Sequence, residues 1–386
     1  MSALTQSPPT LAVMGRSRKE NERRLALHPE HLARIPDELR PRIFLERGYG
    51  AEFGVSDAEL AGWVGGIASH DELVQRCDIV LQPKPLLADL AELRQHQVFW
   101  GWPHCVQDAD LTQVAIDRQL TVIAFEAMNH WTPDGAFSLH VFHRNNELAG
   151  YSSVLHALSL CGSTGHFGRR KSAVVIGFGA TARGAVTALA ALGVQEVDVL
   201  THREVAAVAS PIHSARMVHF GDGEGGADPG WAVVDDVIEP LPAFLAAHDI
   251  IVNCVLQDPI SPLVFLTEAD LGLLPRGTLV VDVSCDAGMG FGWARPTTFD
   301  EPMLDFDGVR YYAVDHSPSH LWSAATWENS AALLPFLPAV LGGPRAWDAA
   351  PTIARAIEVR DGVVQNPAIL EFQGRGHSFP HDVLAS

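Results

Sequence analysis

Ser172-Ala-Val-Val-Ile-Gly177-Phe-Gly179-Ala-Thr-Ala182-Arg-Gly184 starts as an apolar strand, turns on glycines and runs into a helical pattern over 181–192. Strand, Gly-rich turn and helix N-terminus are the parts of a dinucleotide-binding βα unit. Gly177 permits the tight turn, Gly179 lets the backbone approach a pyrophosphate, and Ala182 lets the helix pack on the strand. A lone G-x-G-x-x-A is weak evidence. The strand before it and the helix after it lift it above an ordinary βα turn. About 20 residues on, where a ribose-reading acid would select NAD, the chain reads Leu200-Thr201-His202-Arg203 with no acid before Glu204. That predicts NADP(H), with Arg203 and Thr201 on the 2′-phosphate; the plainer alternative is a solvated arginine.

Outward from this unit the same alternation continues. Strands are predicted at 196–200, 249–255, 278–283 and 310–314, with 220–231, rich in Gly and Asp, as a solvated loop insertion. Upstream, 144–160 reads as a long helix leaving an earlier series, with strands at 11–15, 42–45, 78–82, 97–100 and 120–125. Helical patterns at 29–39, 57–63, 86–95 and 108–119 separate these strands. Two α/β, Rossmann-like parallel-sheet domains flanking a cleft are the expectation. After Pro318 come helices at 324–341 and 347–359 and a hairpin, 357–365, turning at Asp361–Gly362. A chain that returns in this way completes its first domain. The substrate domain is therefore expected to be discontinuous, 1–145 plus 319–386, around a dinucleotide-binding domain at 146–318.

Composition bounds the function. Of 386 residues, 47% are hydrophobic and 19% charged, enough apolar material for large cores. The formal charge of −19 argues against nucleic-acid or anionic-membrane partners. Five scattered cysteines without a C-x-x-C predict neither a disulfide framework nor a metal site. The chain shows no secretory pattern and no apolar span of transmembrane length, so a cytoplasmic protein is expected. Only three of 27 basic residues are lysines: Lys19, Lys84 and Lys171. An arginine-favouring codon bias explains the scarcity, and Lys19 and Lys171 read as solvated.

Lys84 differs. It follows an apolar strand and sits between Pro83 and Pro85, while the next strand ends Gly101-Trp-Pro103-His104. The first strand leads through Gly15 to Asn21-Glu22-Arg23-Arg24. Functional groups of open α/β sheets collect at the carboxyl ends of strands. A guanidinium fork, an ammonium and an imidazole there suit a small 2-oxo acid: carboxylate, ketone oxygen and proton transfer. His104 taken alone is equally a structural histidine. In the second series, Asp282-Val-Ser284-Cys285-Asp286 ends a buried strand with Asp286 above it. Asp286 is either a companion acid or a turn former.

In this order, Lys19-Glu-Asn-Glu-Arg-Arg-Leu-Ala-Leu, Gln82-Pro-Lys-Pro, Gly101-Trp-Pro-His104, Arg144-Asn-Asn-Glu-Leu-Ala-Gly150, the glycine turn, Val283-Ser-Cys-Asp-Ala-Gly-Met-Gly290 and Val314-Asp-His-Ser-Pro318 resemble the alanine dehydrogenase/pyridine-nucleotide transhydrogenase family. The resemblance is closest to its carboxyethylornithine synthase branch and covers nearly the whole chain. It implies that Arg24 binds the substrate carboxylate and that Lys84 and His104 are catalytic. It further implies Asp286 as the acid on the cofactor domain and Glu126 as a rim carboxylate holding an amine. The implied reaction condenses an amino acid's side-chain amine, ornithine-like, with pyruvate or a similar 2-oxo acid. NADPH then reduces the imine. Thr-His-Arg after the second cofactor strand fits an NADP-using branch. The family also implies a homo-oligomer. Two other classes stay open: an alanine-dehydrogenase-like enzyme using free ammonia, and a non-catalytic cofactor-binding sensor.

Overall fold

The computed structural model describes residues 8–202, 212, 215–221, 230–257 and 262–384. The chain forms two compact units, Met1–His143 with Trp322–Ser386, and Arg144–Leu321. Both are α/β with a largely parallel sheet.

The first unit's eight-stranded sheet runs, in space, Val363–Val364, Ile357–Arg360, Thr121–Ala124, Val98–Gly101, Ile79–Leu81, Leu11–Val13, Ile43–Glu46, Gly66–Ala68. All neighbours are parallel except at Ile357–Arg360, which is antiparallel to both Val363–Val364 and Thr121–Ala124. Alternate side chains fill opposite cores: Leu11, Val13, Leu81 and Trp100 one face, Ala12, Val80, Phe99 and Val122 the other. Burial on both faces is why these strands read as unbroken apolar runs. Chain order reverses between Leu11–Val13 and Ile79–Leu81, and at such switch points the strand ends splay into a crevice.

In the second unit the central order is Arg216–Gly221, Glu196–Thr201, Ser172–Ile176, Ile250–Asn253, Leu279–Asp282, Val309–Tyr312. Antiparallel strands Trp231–Val234 and Val237–Pro240 extend one edge, and Met303–Phe306 the other. The reversal lies between Ser172–Ile176 and Ile250–Asn253.

Several expectations change. The proposed loop at 220–231 is partly strand: Phe220 is 1% exposed within Arg216–Gly221, and Trp231 opens the antiparallel partner. Residues 222–229 lie outside the described residues. The helix expected at 347–359 is two short ones, Pro344–Ala349 and Pro351–Ala356, followed by strand from Ile357. Pro351 cannot continue the preceding helix, and Ile357 and Val359 alternate as β-branched residues do on a pleated surface. The pattern at 29–39 yields only a 3₁₀ segment, Pro29–Arg34, ending before Pro36. A helix at His70–Arg76 went unread although Ser69 and Glu72 form its capping box. Among the described residues no helix is long and apolar enough to cross a membrane.

Candidate active site

In the first unit, two turns stand side by side beyond the strand ends next to the switch point. Gln82-Pro83-Lys84 leaves the strand Ile79–Leu81, and Trp102-Pro103-His104 leaves its neighbour Val98–Gly101. Backbone bonds tie them together, Gln82 N–H to the Trp100 carbonyl at 3.1 Å and Trp102 N–H to the Pro83 carbonyl at 2.8 Å. Gly101 is required for that closeness: a Cβ there would stand 2.0 Å from the Gln82 carbonyl oxygen. The Ser17 hydroxyl, from the third strand end, donates to the Lys84 carbonyl. Lys84 Nζ consequently lies 3.1 Å from His104 Nε2. With the ammonium as donor, His104 accepts at Nε2 and carries its own proton on Nδ1.

His104 adopts φ +50°, a left-handed conformation unusual outside glycine. Its N–H donates to Glu126 Oε1 at 2.7 Å, and its carbonyl accepts from Gln107 and Asp108 N–H at 3.1 and 3.0 Å. Glu126 Oε2 is sealed from solvent with no partner. Glu126 therefore braces the histidine backbone, and its carboxyl is not the open rim group the resemblance implied. Burial, reinforced by the nearby Glu358 carboxyl, pushes its proton affinity up.

Arg24 is 7% exposed. Its Nε and Nη2 donate to Glu22, and its guanidinium lies over the Trp102 ring, 5.1 Å from the centroid. The guanidinium is thus held by a carboxylate partner over the ring two positions before His104 in the chain, a role for Glu22 that its place beside Arg24 did not reveal.

In the second unit, Gly177 has φ +113°, and a Cβ on it would press on the Cys254 carbonyl across the switch point. Gly179 begins the twelve-residue helix Ala180–Ala191, and a Cβ on it would meet nothing within 4 Å. A bare, open backbone at a helix N-terminus is the cradle a pyrophosphate needs, so the residues fit a dinucleotide. Ala182 is fully buried against Val175 and its neighbours. The tighter contact is one helix against another. A Cβ on Gly184 would stand 1.7 Å from the Glu147 carbonyl oxygen, and one on Gly150 1.9 Å from that of Thr181. Thr201 ends the second strand, 3% exposed. Arg203 lies outside the described residues.

Asp286, also in this unit, follows Cys285 at φ +46° and is half-buried. The turn hangs on Asp282, which sequence reasoning quoted only as a strand residue. Its Oδ1 accepts Asn253 Nδ2 at 3.0 Å and Cys285 N–H at 3.1 Å, and its Oδ2 accepts the Tyr311 hydroxyl at 2.8 Å. Burial raises its pKa to about 6 despite these donors. A charged residue closing an apolar run was the available signal. Among the described residues no group of side chains is arranged to hold a metal.

Comparison with known proteins agrees with this architecture. Residues 14–149 match the model of the alanine dehydrogenase/PNT N-terminal domain, and 160–367 that of the C-terminal domain. An N(5)-(carboxyethyl)ornithine synthase from Clostridium botulinum is 26% identical over 314 residues, spanning 78% of this chain and 84% of that one. An alanine dehydrogenase from Mycobacterium tuberculosis is 22% identical over 391 residues, 95% of this chain and 98% of its own. A solved L-alanine dehydrogenase superposes with TM-score 0.72 at 19% identity, covering 94% and 98% of the two chains, and so shares the fold. The chain belongs to the alanine dehydrogenase/PNT family and is an oxidoreductase of the alanine dehydrogenase type.

Proposed function

We propose that the protein catalyses NADPH-dependent reductive condensation of an amino acid's side-chain amine, ornithine-like, with pyruvate or a similar 2-oxo acid. The product is an N-(carboxyalkyl) amino acid. The observation that carries this reading is the Lys84–His104 contact at a topological switch point, in a chain that also presents an open glycine turn for a dinucleotide. Carboxyethylornithine synthase and alanine dehydrogenase relatives bracket the chemistry.

In this mechanism Arg24, oriented by Glu22 and Trp102, binds the 2-oxo acid carboxylate. The Lys84 ammonium donates to the ketone oxygen and favours attack by a neutral amine on the carbonyl carbon. His104 takes the proton the amine loses and returns it to the carbinolamine hydroxyl, whose own proton came from the Lys84 ammonium. Water departs and leaves a protonated imine, so that hydride addition gives the neutral secondary amine and Lys84 is reprotonated from solvent. The Gly177–Gly179 turn would hold NADPH, which would supply the hydride that reduces the imine. Asp286 is the companion acid for these proton transfers, and Arg203 with Thr201 selects the 2′-phosphate. The protein acts as a homo-oligomer in the cytoplasm.

Lys84→Arg tests the assignment. Arginine keeps the charge, but its broad planar head cannot replace a compact ammonium 3.1 Å from an imidazole. Turnover should fall at least about a thousandfold, roughly 4 kcal/mol in the barrier. Near-normal turnover in this variant removes Lys84 from the chemistry.

A further inference from the structure

The turn that presents His104 is held by a side chain from the far end of the chain. A left-handed backbone at a residue other than glycine persists only where its surroundings over-determine it. At the turn's start, Glu126 accepts the His104 N–H. Beyond His104, the Cys105 carbonyl accepts from Thr112 Oγ at 2.7 Å and from Gln373 Nε2 at 2.6 Å, and the Val106 carbonyl from the same Nε2 at 3.2 Å. Thr112 belongs to the adjoining helix Ala109–Asp117. Gln373 follows the helix Pro367–Phe372, 268 positions after Cys105.

Arg375 sets which way the Gln373 amide faces. It is 4% exposed, and a guanidinium carries donors only. Its Nε donates to Gln373 Oε1 at 2.6 Å, and its Nη1 to Gln113 Oε1 at 2.6 Å and to the His381 carbonyl at 3.3 Å. Its Nη2 donates to the Ala109 carbonyl at 3.2 Å. Each glutamine must therefore turn its oxygen to the guanidinium and its NH2 away. Gln113 Nε2 then reaches Asp117 Oδ1 at 2.8 Å, and Gln373 Nε2 reaches the two carbonyls after His104. Arg375 is fixed in turn by its own segment. Its N–H donates to the Leu370 carbonyl at 2.8 Å. His381, 1% exposed, accepts the Val364 N–H at Nε2 and bonds the Gly376 carbonyl through Nδ1, at 3.1 and 2.9 Å.

We propose that Gln373, oriented by Arg375, is a positioning residue for His104: by holding the Cys105 and Val106 carbonyls it keeps the imidazole where Nε2 meets the Lys84 ammonium. Its consequence for turnover rests on reading His104 as the acid–base group; the positioning itself is a property of the protein alone. The segment after Phe372 thereby gains a task at a turn built by residues 102–106.

Two variants separate positioning from anchoring. In Gln373→Glu the carboxylate keeps Arg375 but sets an acceptor against the two carbonyls. Gln373→Met, close in size, removes donor and acceptor without adding charge. The readout is the tautomer of the neutral His104 ring, from nitrogen-15 NMR of the full-length protein, with the resonance assigned by its loss in His104→Asn. In the native protein the ring proton sits on Nδ1 because Nε2 accepts from Lys84. Both variants should lose this single form and populate the Nε2–H tautomer. A native ring already protonated on Nε2 overturns the proposal. Thermal unfolding is recorded for each variant. A merely structural role lowers Tm and leaves the tautomer alone, which overturns the proposal. A change in Gln373→Glu alone is the effect of its added charge and overturns it too. Should a variant fail to fold, the native protein decides. Its Gln373 carboxamide protons should exchange at least about tenfold more slowly than those of exposed Gln95, and equal rates overturn the proposal. Turnover is read separately: kcat/KM for the 2-oxo acid should fall about tenfold or more, with the KM for NADPH unchanged. A changed tautomer with native turnover upholds the positioning and removes His104 from the chemistry. Lost turnover with the native tautomer overturns the positioning.

Discussion

Two glycines five residues apart, about 7.5 Å along one helix, make opposite predictions. Gly179 and Gly184 lie at the start and in the second turn of the helix Ala180–Ala191, yet only one is needed to build the unit. At Gly184 an added Cβ would be 1.7 Å from the Glu147 carbonyl oxygen, so the helices must part by about 1.5 Å to regain van der Waals contact. Backbone faces backbone, and no rotamer can relieve it. Overpacking of this kind costs about 1–3 kcal/mol, of which the better helix propensity of alanine returns about 1. Because backbone meets backbone, the upper end of that cost applies, and the net loss of about 2 kcal/mol corresponds to a fall in Tm of roughly 5 °C for a unit this size. At Gly179 nothing lies within 4 Å and the backbone is extended, φ −76°, ψ −169°. Alanine fits there at the cost of a poorer N-cap, under about 1 kcal/mol. If a pyrophosphate lies against this backbone, the methyl occupies its place. NADPH affinity should then drop tenfold or more, about 1.4 kcal/mol. The assays are thermal unfolding without ligand and titration of NADPH fluorescence. Gly179→Ala with native stability and weakened binding, beside Gly184→Ala with lowered Tm, is the expected pair of results. Native NADPH affinity in Gly179→Ala refutes the cradle, and an unchanged Tm in Gly184→Ala refutes the helix contact.

Arg203→Ala should raise the KM for NADPH far more than that for NADH; an equal effect on both withdraws the 2′-phosphate assignment. A second test concerns pH. His70 sits among carboxylates: that of Glu46, 3.7 Å from its Nδ1, and that of Glu92, hydrogen-bonded to its Nε2, lift its pKa to about 9 against the cost of burial. Because the folded value exceeds the unfolded one of about 6.5, the stabilisation is complete below pH 6.5 and is lost as pH rises through about 9. The native protein's Tm should decline over that interval and His70→Gln should flatten the decline; an identical slope in both proteins contradicts it.

Much of the fold was legible because parallel strands buried on both faces leave contiguous apolar runs, as Ser172–Ile176 and Ile79–Leu81 do. The edge elements were harder. Gly66–Ala68 has only three residues, and the antiparallel pair around 222–229 alternates weakly beside a Gly- and Asp-rich stretch. At the site, Lys84 and His104 were found from their places just beyond strand ends, which local sequence reports well. What escaped were residues whose role exists only through a distant partner. Glu22 is defined by the Arg24 edge it holds, Asp282 by Asn253 and Tyr311, and Gly184 by Glu147. Glu126 shows the same limit from the other side. Its motif was recognisable, but only the fold shows its oxygens turned to a backbone N–H and to a sealed interior.

The most direct test of the central claim is the identity of the product. Purified protein is supplied with NADPH and pyruvate together with ornithine, lysine, arginine or ammonia, and cofactor oxidation is followed alongside product mass. Reductive condensation predicts NADPH consumption that depends on a diamino acid and a product carrying both carbon skeletons in one molecule. Turnover with ammonia alone, yielding alanine, contradicts it.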